Sequence, residues 1–125
     1  MSDKKPLILY VDDDPDYREA VRVMLETAGY EMAEAATAAE GLQAFKSQKP
    51  DFVIVDLMME EVDSGTNLVK ELRAAGRRTP IYLLSSVGDN LDQTVDYAEL
   101  GLDGVFQKPL ERAALLAVLK AKLGR

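Results

Sequence analysis

The sequence contains no cysteine and no histidine among its 125 residues. Without cysteine the chain cannot form a disulfide framework, which fits a reducing compartment. Without histidine it lacks the commonest general base and the commonest metal ligand. Any metal site in this chain is therefore expected to use oxygen ligands, and any chemistry is expected to proceed without imidazole.

Basic residues and long apolar runs are also scarce. The 15 Lys and Arg residues face 22 Asp and Glu residues, a net charge of −7, which argues against direct contact with a nucleic-acid backbone. No apolar run reaches the roughly 18 residues of a membrane-spanning helix. The N-terminal residues lack the small-residue cleavage site of a signal peptide. We expect one cytoplasmic interaction domain with no membrane contact.

Five short apolar runs, each followed by a stretch with helical spacing, predict five strand-then-helix units. Such a chain folds as a parallel sheet with right-handed crossovers. We therefore predict a three-layer α/β/α, flavodoxin-like domain over residues 1–125, with a core of about residues 6–123, five strands in the order 2-1-3-4-5 and five helices. The predicted strands are Leu7–Val11, Glu31–Ala35, Phe52–Val55, Ile81–Leu84 and Gly104–Gln107, and the fourth helix rests on Leu91, Val95 and Ala98.

Polar residues follow four of the five predicted strands. Asp12 and Asp13 end the first strand and Asp56 ends the third, and these two strands are neighbours in the predicted order. Ser85 and Lys108 follow the fourth and fifth strands. Because ligands bind at the carboxyl edge of open α/β sheets, we predict a functional site there. Asp14 is interpreted as a helix cap, and Asp63 and Asp103 as turn residues.

The chemistry of this edge indicates phosphoryl transfer. Three carboxylates held close together repel one another, and a hard divalent cation, Mg²⁺ with Mn²⁺ as the alternative, relieves that repulsion. A carboxylate is ionised at neutral pH and can attack phosphorus without a general base. The cation and Lys108 would supply positive charge, and Ser85 would donate a hydrogen bond to a phosphoryl oxygen.

These residues occur in motifs that resemble a known family. The segments LILYVDDDP, DFVIVDLMM, PIYLLSS and FQKP appear in the order and spacing of the receiver domain of two-component response regulators, from about Pro6 to Leu123. The resemblance implies that Asp56 accepts phosphate and that Ser85 and Lys108 contact the phosphoryl group. It implies metal ligation by Asp13, by Asp56, by the backbone carbonyl of Met58, and by Asp12 directly or through water.

The resemblance also implies partners. A sensor histidine kinase or a histidine phosphotransfer protein would supply the phosphoryl group, and an unknown downstream protein would respond to it. Homodimerisation on phosphorylation is left open. The domain would catalyse only its own phosphorylation and dephosphorylation and is not expected to be an enzyme otherwise. No output domain is evident, so the chain is either a stand-alone receiver or part of a longer protein.

The sequence departs from the family pattern at two places. Glu60 and Glu61 stand where the family usually has Pro-Gly, and they are interpreted as surface residues. Val105 stands where the family usually has an aromatic residue three positions before the lysine, and the aromatic is Phe106 instead. An aromatic switch is therefore not expected.

Two alternatives remain at this point. One is a pseudo-receiver that binds proteins without phosphate, which the complete set of site residues argues against. The other is an aspartyl-nucleophile phosphohydrolase of the haloacid dehalogenase family. Such an enzyme needs a second Asp two residues after the nucleophile, where this chain has Met58.

Overall fold

The computed structural model of the chain describes residues 5–56, 64–75, 79–85 and 102–124. In these ranges the strands are β1 (Leu7–Val11), β2 (Glu31–Ala35), β3 (Phe52–Asp56), β4 (Ile81–Ser85) and β5 (Gly104–Gln107). The helices are α1 (Pro15–Thr27), α2 (Ala38–Gln48), α3 (Ser64–Ala74) and α4 (Arg112–Leu123).

The sheet has the predicted topology. Its five strands lie in the order β2-β1-β3-β4-β5, and every neighbouring pair is parallel. β3 and β4 each run one residue further than predicted, because Asp56 is in register with Leu84 and Ser85 with Gln107. Two polar site residues are thus the last residues of their strands and are held by the sheet itself.

The sequence predicts five helices, and four lie in the described residues. The additional predicted helix, around Leu91, Val95 and Ala98, falls outside the described residues. None of the four helices has the length and apolar character that crossing a membrane requires.

Helices cover both faces of the sheet. Side chains on a strand alternate between its two faces, and here the strands carry apolar side chains on both, so each face is buried by a pair of helices. The α1/α4 face is defined by a buried cluster that joins the strands to α1 and α4, and the α2/α3 face by a second cluster that joins them to α2 and α3. The α1/α4 face holds Ile8, Tyr10, Phe52, Ile54, Tyr82, Leu84 and Phe106 from the strands. The α2/α3 face holds Leu9, Val11, Val53, Val55, Ile81 and Leu83.

Local signals in the sequence explain where the helices begin and end. The Asp14 side chain accepts hydrogen bonds from the backbone N–H groups of Asp16 and Tyr17, which confirms its predicted role as the cap of α1. Thr37 caps α2 by accepting from the N–H of Glu40. Gly29, with φ of +94°, reverses the chain after α1, as glycine commonly does at this position.

Asp103 has a larger role than the predicted turn residue. Its Oδ2 accepts from the backbone N–H of Ile81 at 2.9 Å and from Nη2 of Arg73 at 2.8 Å. Arg73 also donates to the carbonyl of Thr79. Asp103 therefore connects α3 to the start of β4, a contact that spacing along the chain does not reveal.

Candidate functional site

Three carboxylates converge at the carboxyl edge of the sheet. Asp12, Asp13 and Asp56 each offer an oxygen, and these oxygens lie within 4.8 Å of one another. Asp12 and Asp56 are buried, whereas Asp13 is exposed. The pairing of Val11 with Val55 sets β1 and β3 side by side and so brings the residues that follow them together. The predicted cluster is present.

The carboxylate of Asp12 is held by two donors. Its Oδ2 accepts a hydrogen bond from the Tyr10 hydroxyl at 2.5 Å, and its Oδ1 accepts from the backbone N–H of Asp14 at 3.0 Å. Its backbone carbonyl accepts from Nη1 of Arg18 at 2.8 Å. A buried carboxylate needs such donors, because an uncompensated buried charge is costly. Asp12 is therefore fixed in place without relying on a cation.

Tyr10 also belongs to the site, although it is not among the residues predicted for it. Burial raises the pKa of its hydroxyl well above the ordinary value, and the hydrogen bond and negative charge of Asp12 and the charge of Asp56 raise it further. The hydroxyl is therefore protonated and donates to Asp12. A usable signal was present, because residues i and i+2 of a strand lie on the same face, and Tyr10 is two residues before Asp12.

Lys108 lies over the same cluster from the end of β5. Its Nζ is 3.4 Å from Oδ1 of Asp56, and its side chain is partly exposed. Its backbone N–H donates to the carbonyl of Ser85 at 2.7 Å, which joins the ends of β4 and β5. The predicted positive charge is thus placed beside the predicted phosphate acceptor.

Ser85 is buried at the end of β4, and Asp56 ends the neighbouring strand β3. Ser85 is two and four residues after Leu83 and Ile81 and so belongs to the same face of the sheet, the α2/α3 face. By the same alternation, Asp12, Asp56 and Lys108 belong to the α1/α4 face. The serine therefore approaches the edge from the opposite face to the charged residues.

A second group of charges lies beside the site on α1 and β2. Nε of Arg18 donates to Oε1 of Glu34 at 2.7 Å, and Arg22 pairs with the other carboxylate oxygen of Glu34. The hydrogen bond from Arg22 lowers the pKa of the Glu34 carboxyl below its ordinary value, and the bond from Arg18 lowers it further. These contacts orient Arg18, which also holds the carbonyl of Asp12.

The departures from the family pattern have different outcomes. Met58, Glu60 and Glu61 lie outside the described residues. Phe106 is buried and stacks on Tyr82, with ring centroids 4.9 Å apart. Val105 packs on the other face of the sheet. The aromatic ring next to Val105 is thus part of the core packing of the α1/α4 face.

The donor set fits a hard divalent cation. Three carboxylates within 4.8 Å supply oxygen ligands, as Mg²⁺ and Mn²⁺ prefer, and the chain has no cysteine or histidine that would favour a softer metal. A cation placed among them would offset the repulsion between the three negative charges. Asp12, Asp13 and Asp56 are therefore the residues that would hold it.

Comparison with known proteins agrees with this geometry. The response regulator receiver domain model matches residues 8–120. The transcriptional regulatory protein PrrA of Mycobacterium tuberculosis is 35% identical over 120 residues, which are 96% of this chain and 51% of PrrA. The response regulator MprA of Mycolicibacterium vanbaalenii is 36% identical over 118 residues, 94% of this chain and 50% of MprA. The chain thus spans about half the length of these curated relatives.

Solved structures show the same fold. A response regulator receiver protein from Pseudomonas putida superposes with a TM-score of 0.84 at 30% identity, covering 96% of this chain and 99% of that one. A receiver domain protein from Methanospirillum hungatei superposes with a TM-score of 0.86 at 27% identity, covering 97% and 95%. With the acidic cluster at the expected edge, the chain belongs to the response regulator receiver domain family of two-component systems.

Proposed function

We propose that this receiver domain accepts a phosphoryl group on Asp56 in a Mg²⁺-dependent reaction and that phosphorylation switches its binding to a protein partner. The observation that carries the proposal is the environment of Asp56. Its carboxylate lies within 4.8 Å of Asp12 and Asp13 and has Nζ of Lys108 at 3.4 Å from Oδ1. The proposed nucleophile, the carboxylates proposed to hold the cation and the positive charge of Lys108 thus lie together at the carboxyl edge of the sheet.

The transfer itself is a displacement at phosphorus. An oxygen of Asp56 forms a bond to phosphorus while the bond from phosphorus to the donor imidazole nitrogen breaks. The electron pair stays on that nitrogen, which takes up a proton. No proton has to be removed from Asp56, so the absence of histidine from the chain is no obstacle. The protein's part is to position Asp56 and to neutralise charge.

The remaining site residues have separate tasks. When bound, Mg²⁺ would neutralise charge on the phosphoryl oxygens and orient them. Asp12, held by Tyr10 and by the N–H of Asp14, keeps its carboxylate facing the cluster. We expect Lys108, whose Nζ lies 3.4 Å from Oδ1 of Asp56, to contact one phosphoryl oxygen and the Ser85 hydroxyl to donate a hydrogen bond to another.

The partners are part of the proposal. The donor is a sensor histidine kinase or a histidine phosphotransfer protein in the cytoplasm, and the output is an unidentified protein. PrrA is named as a transcriptional regulatory protein and is about twice as long as this chain. With a net charge of −7, this chain is unsuited to bind DNA by itself. It acts on no other substrate.

Phosphorylation by acetyl phosphate tests the assignment. Incubation with acetyl phosphate and Mg²⁺ should add the mass of one phosphate to the intact protein. Removal of Mg²⁺ with EDTA should prevent the addition, and so should Asp56→Asn. The matched control is Asp14→Asn, because Asn is as good a helix cap as Asp and Asp14 is outside the cluster. This control should be labelled like the wild type.

The outcomes separate the alternatives. Equal labelling of Asp56→Asn and the wild type would contradict the assignment of the acceptor. No labelling of the folded wild type, by acetyl phosphate or by phosphorylated histidine donors, would instead support a pseudo-receiver. Release of inorganic phosphate from many unrelated phosphate esters would support a phosphohydrolase.

A further inference from the structure

Tyr17 on α1 makes two separate contacts with the segment that carries Lys108. Its hydroxyl accepts a hydrogen bond from the backbone N–H of Leu110 at 2.8 Å. The centroid of its ring lies 4.8 Å from Nζ of Lys108. One side chain therefore contacts both the ammonium group of Lys108 and the backbone two residues beyond it.

Hydrogen bonds hold the backbone of residues 108–110 at both ends. At one end, the N–H of Lys108 donates to the carbonyl of Ser85 at 2.7 Å. At the other end, the N–H of Leu110 donates to the Tyr17 hydroxyl, and the side chain of Leu110 is buried in the cluster of the α1/α4 face. Tyr17 is itself tied to the cap of α1, since its N–H donates to Oδ1 of Asp14.

The ring contact bears on the ammonium group. Lysine has a flexible four-carbon stem, so its charge is free to adopt many positions unless its surroundings select one. The face of an aromatic ring attracts a cation within about 6 Å of its centroid. The Lys108 ammonium thus has two attractive neighbours, the Tyr17 ring at 4.8 Å and Oδ1 of Asp56 at 3.4 Å. Together they keep the charge over Asp56.

We propose that Tyr17 is a positioning residue that sets where Lys108 meets the phosphoryl group on Asp56. The proposal rests on the proposed function. The hydroxyl fixes the backbone of the Lys108 segment, and the ring fixes the ammonium group. The two contributions can be separated, because Tyr17→Phe keeps the ring and removes the hydroxyl, whereas Tyr17→Leu removes both.

The test measures the affinity for beryllofluoride, a phosphoryl mimic, in the presence of Mg²⁺. Because the chain has no tryptophan, binding is followed by calorimetry or by NMR shifts. We expect Tyr17→Phe to weaken binding about threefold and Tyr17→Leu about tenfold, from the usual size of a hydrogen bond and a cation–π contact. The affinity for Mg²⁺ alone should not change in either variant.

A double-mutant cycle with Lys108→Met distinguishes positioning from a general structural effect. If Tyr17 acts through Lys108, Tyr17→Leu should have little further effect once the ammonium group is gone. An equal loss in both backgrounds, or wild-type affinity in Tyr17→Leu, would overturn the proposal. If Tyr17→Leu fails to fold, Tyr17→Phe keeps the packed ring and carries the same cycle.

Failure of the proposed function would look different. Beryllofluoride would then not bind to the wild type, or it would bind equally well to Asp56→Asn. In either case the acceptor assignment would be wrong, whatever Tyr17 does. Binding that requires Asp56 but does not respond to Tyr17 substitutions would contradict only the positioning role.

Discussion

The two faces of the sheet are both buried by helices, but their side chains differ in kind. The α1/α4 face is rich in aromatic residues, with Tyr10, Phe52, Tyr82 and Phe106 from the strands. Phe52, Tyr82 and Phe106 form a stacked row across three strands. The α2/α3 face is built from Leu, Val, Ile and Ala of the strands, and Phe45 of α2 is the aromatic among its described buried residues.

This difference separates stability from chemistry. A tyrosine buries a large apolar ring and carries a polar tip that can reach a partner. On the α1/α4 face, the hydroxyl of Tyr10 holds Asp12 and that of Tyr17 holds the Lys108 segment. The aliphatic residues of the α2/α3 face have no such tips. The first face therefore supports both the fold and the site, and the second supports mainly the fold.

The largest expected effect comes from the α2/α3 face. Phe45→Ala removes a fully buried ring and should lower the free energy of unfolding by about 3–5 kcal/mol, as measured by urea denaturation. The variant that remains folded should bind Mg²⁺ as the wild type does, in an NMR titration. A marked loss of Mg²⁺ affinity in folded Phe45→Ala would remove the proposed difference between the faces.

On the α1/α4 face, a substitution that lowers stability less should nevertheless weaken Mg²⁺ binding at the site. Tyr10→Phe keeps the ring but deprives the Asp12 carboxylate of a donor, which should cost about 1.5–3 kcal/mol of unfolding free energy. Because groups that hold a ligand also tune it, the Mg²⁺ affinity should fall about tenfold. Tyr82→Phe is the control, since Tyr82 lies on the same face and stacks between Phe52 and Phe106. Equal Mg²⁺ affinities in the two variants would contradict the role of Tyr10.

The smallest effect is expected at the exposed ion pairs beside the site. Glu34→Gln should change stability at neutral pH by no more than about 1 kcal/mol, because exposed pairs contribute little. The Arg22 and Arg18 hydrogen bonds lower the pKa of Glu34 in the folded state. The ionised Glu34 carboxylate therefore stabilises the folded protein fully at pH values above the ordinary pKa of 4.5. This stabilisation is lost as the pH falls below 4.5.

Measuring the free energy of unfolding as a function of pH tests this expected loss of stabilisation. The wild type should lose more stability than Glu34→Gln as the solution is acidified through the ordinary carboxyl range. At pH 7 and high salt, the difference between the two proteins should shrink, because salt screens exposed charges. If the stability advantage of the wild type over Glu34→Gln grew on acidification, the expected direction of the effect would be wrong.

Much of the fold and of the site was predictable from particular residues. The runs at Leu7–Val11 and Phe52–Val55 predict buried parallel strands, and the flavodoxin-like order, a common solution for five strand-then-helix units, is the order that the sheet has. Once β1 and β3 are neighbours, the aspartates at their ends must meet. Asp12, Asp13 and Asp56 were therefore predictable as a cluster without knowledge of any side-chain contact.

The features that the sequence does not predict are contacts of individual side chains with groups far away along the chain. Tyr17 contacts a backbone group 93 residues away, and Asp103 contacts the start of β4 across 22 residues. No local pattern encodes such contacts, because they arise only after helices and strands have packed. The Tyr10 contact is different, because it joins residues i and i+2 of one strand face and so has a local signal in the sequence.

The most direct test of the central claim locates the phosphoryl group chemically. Borohydride reduces an aspartyl phosphate to homoserine, which peptide sequencing by mass spectrometry identifies at a single position. After treatment with acetyl phosphate and Mg²⁺, the wild type should carry homoserine at Asp56 and at no other aspartate. Homoserine at Asp12 or Asp13, or none at all in a phosphorylated sample, would contradict the account of this site.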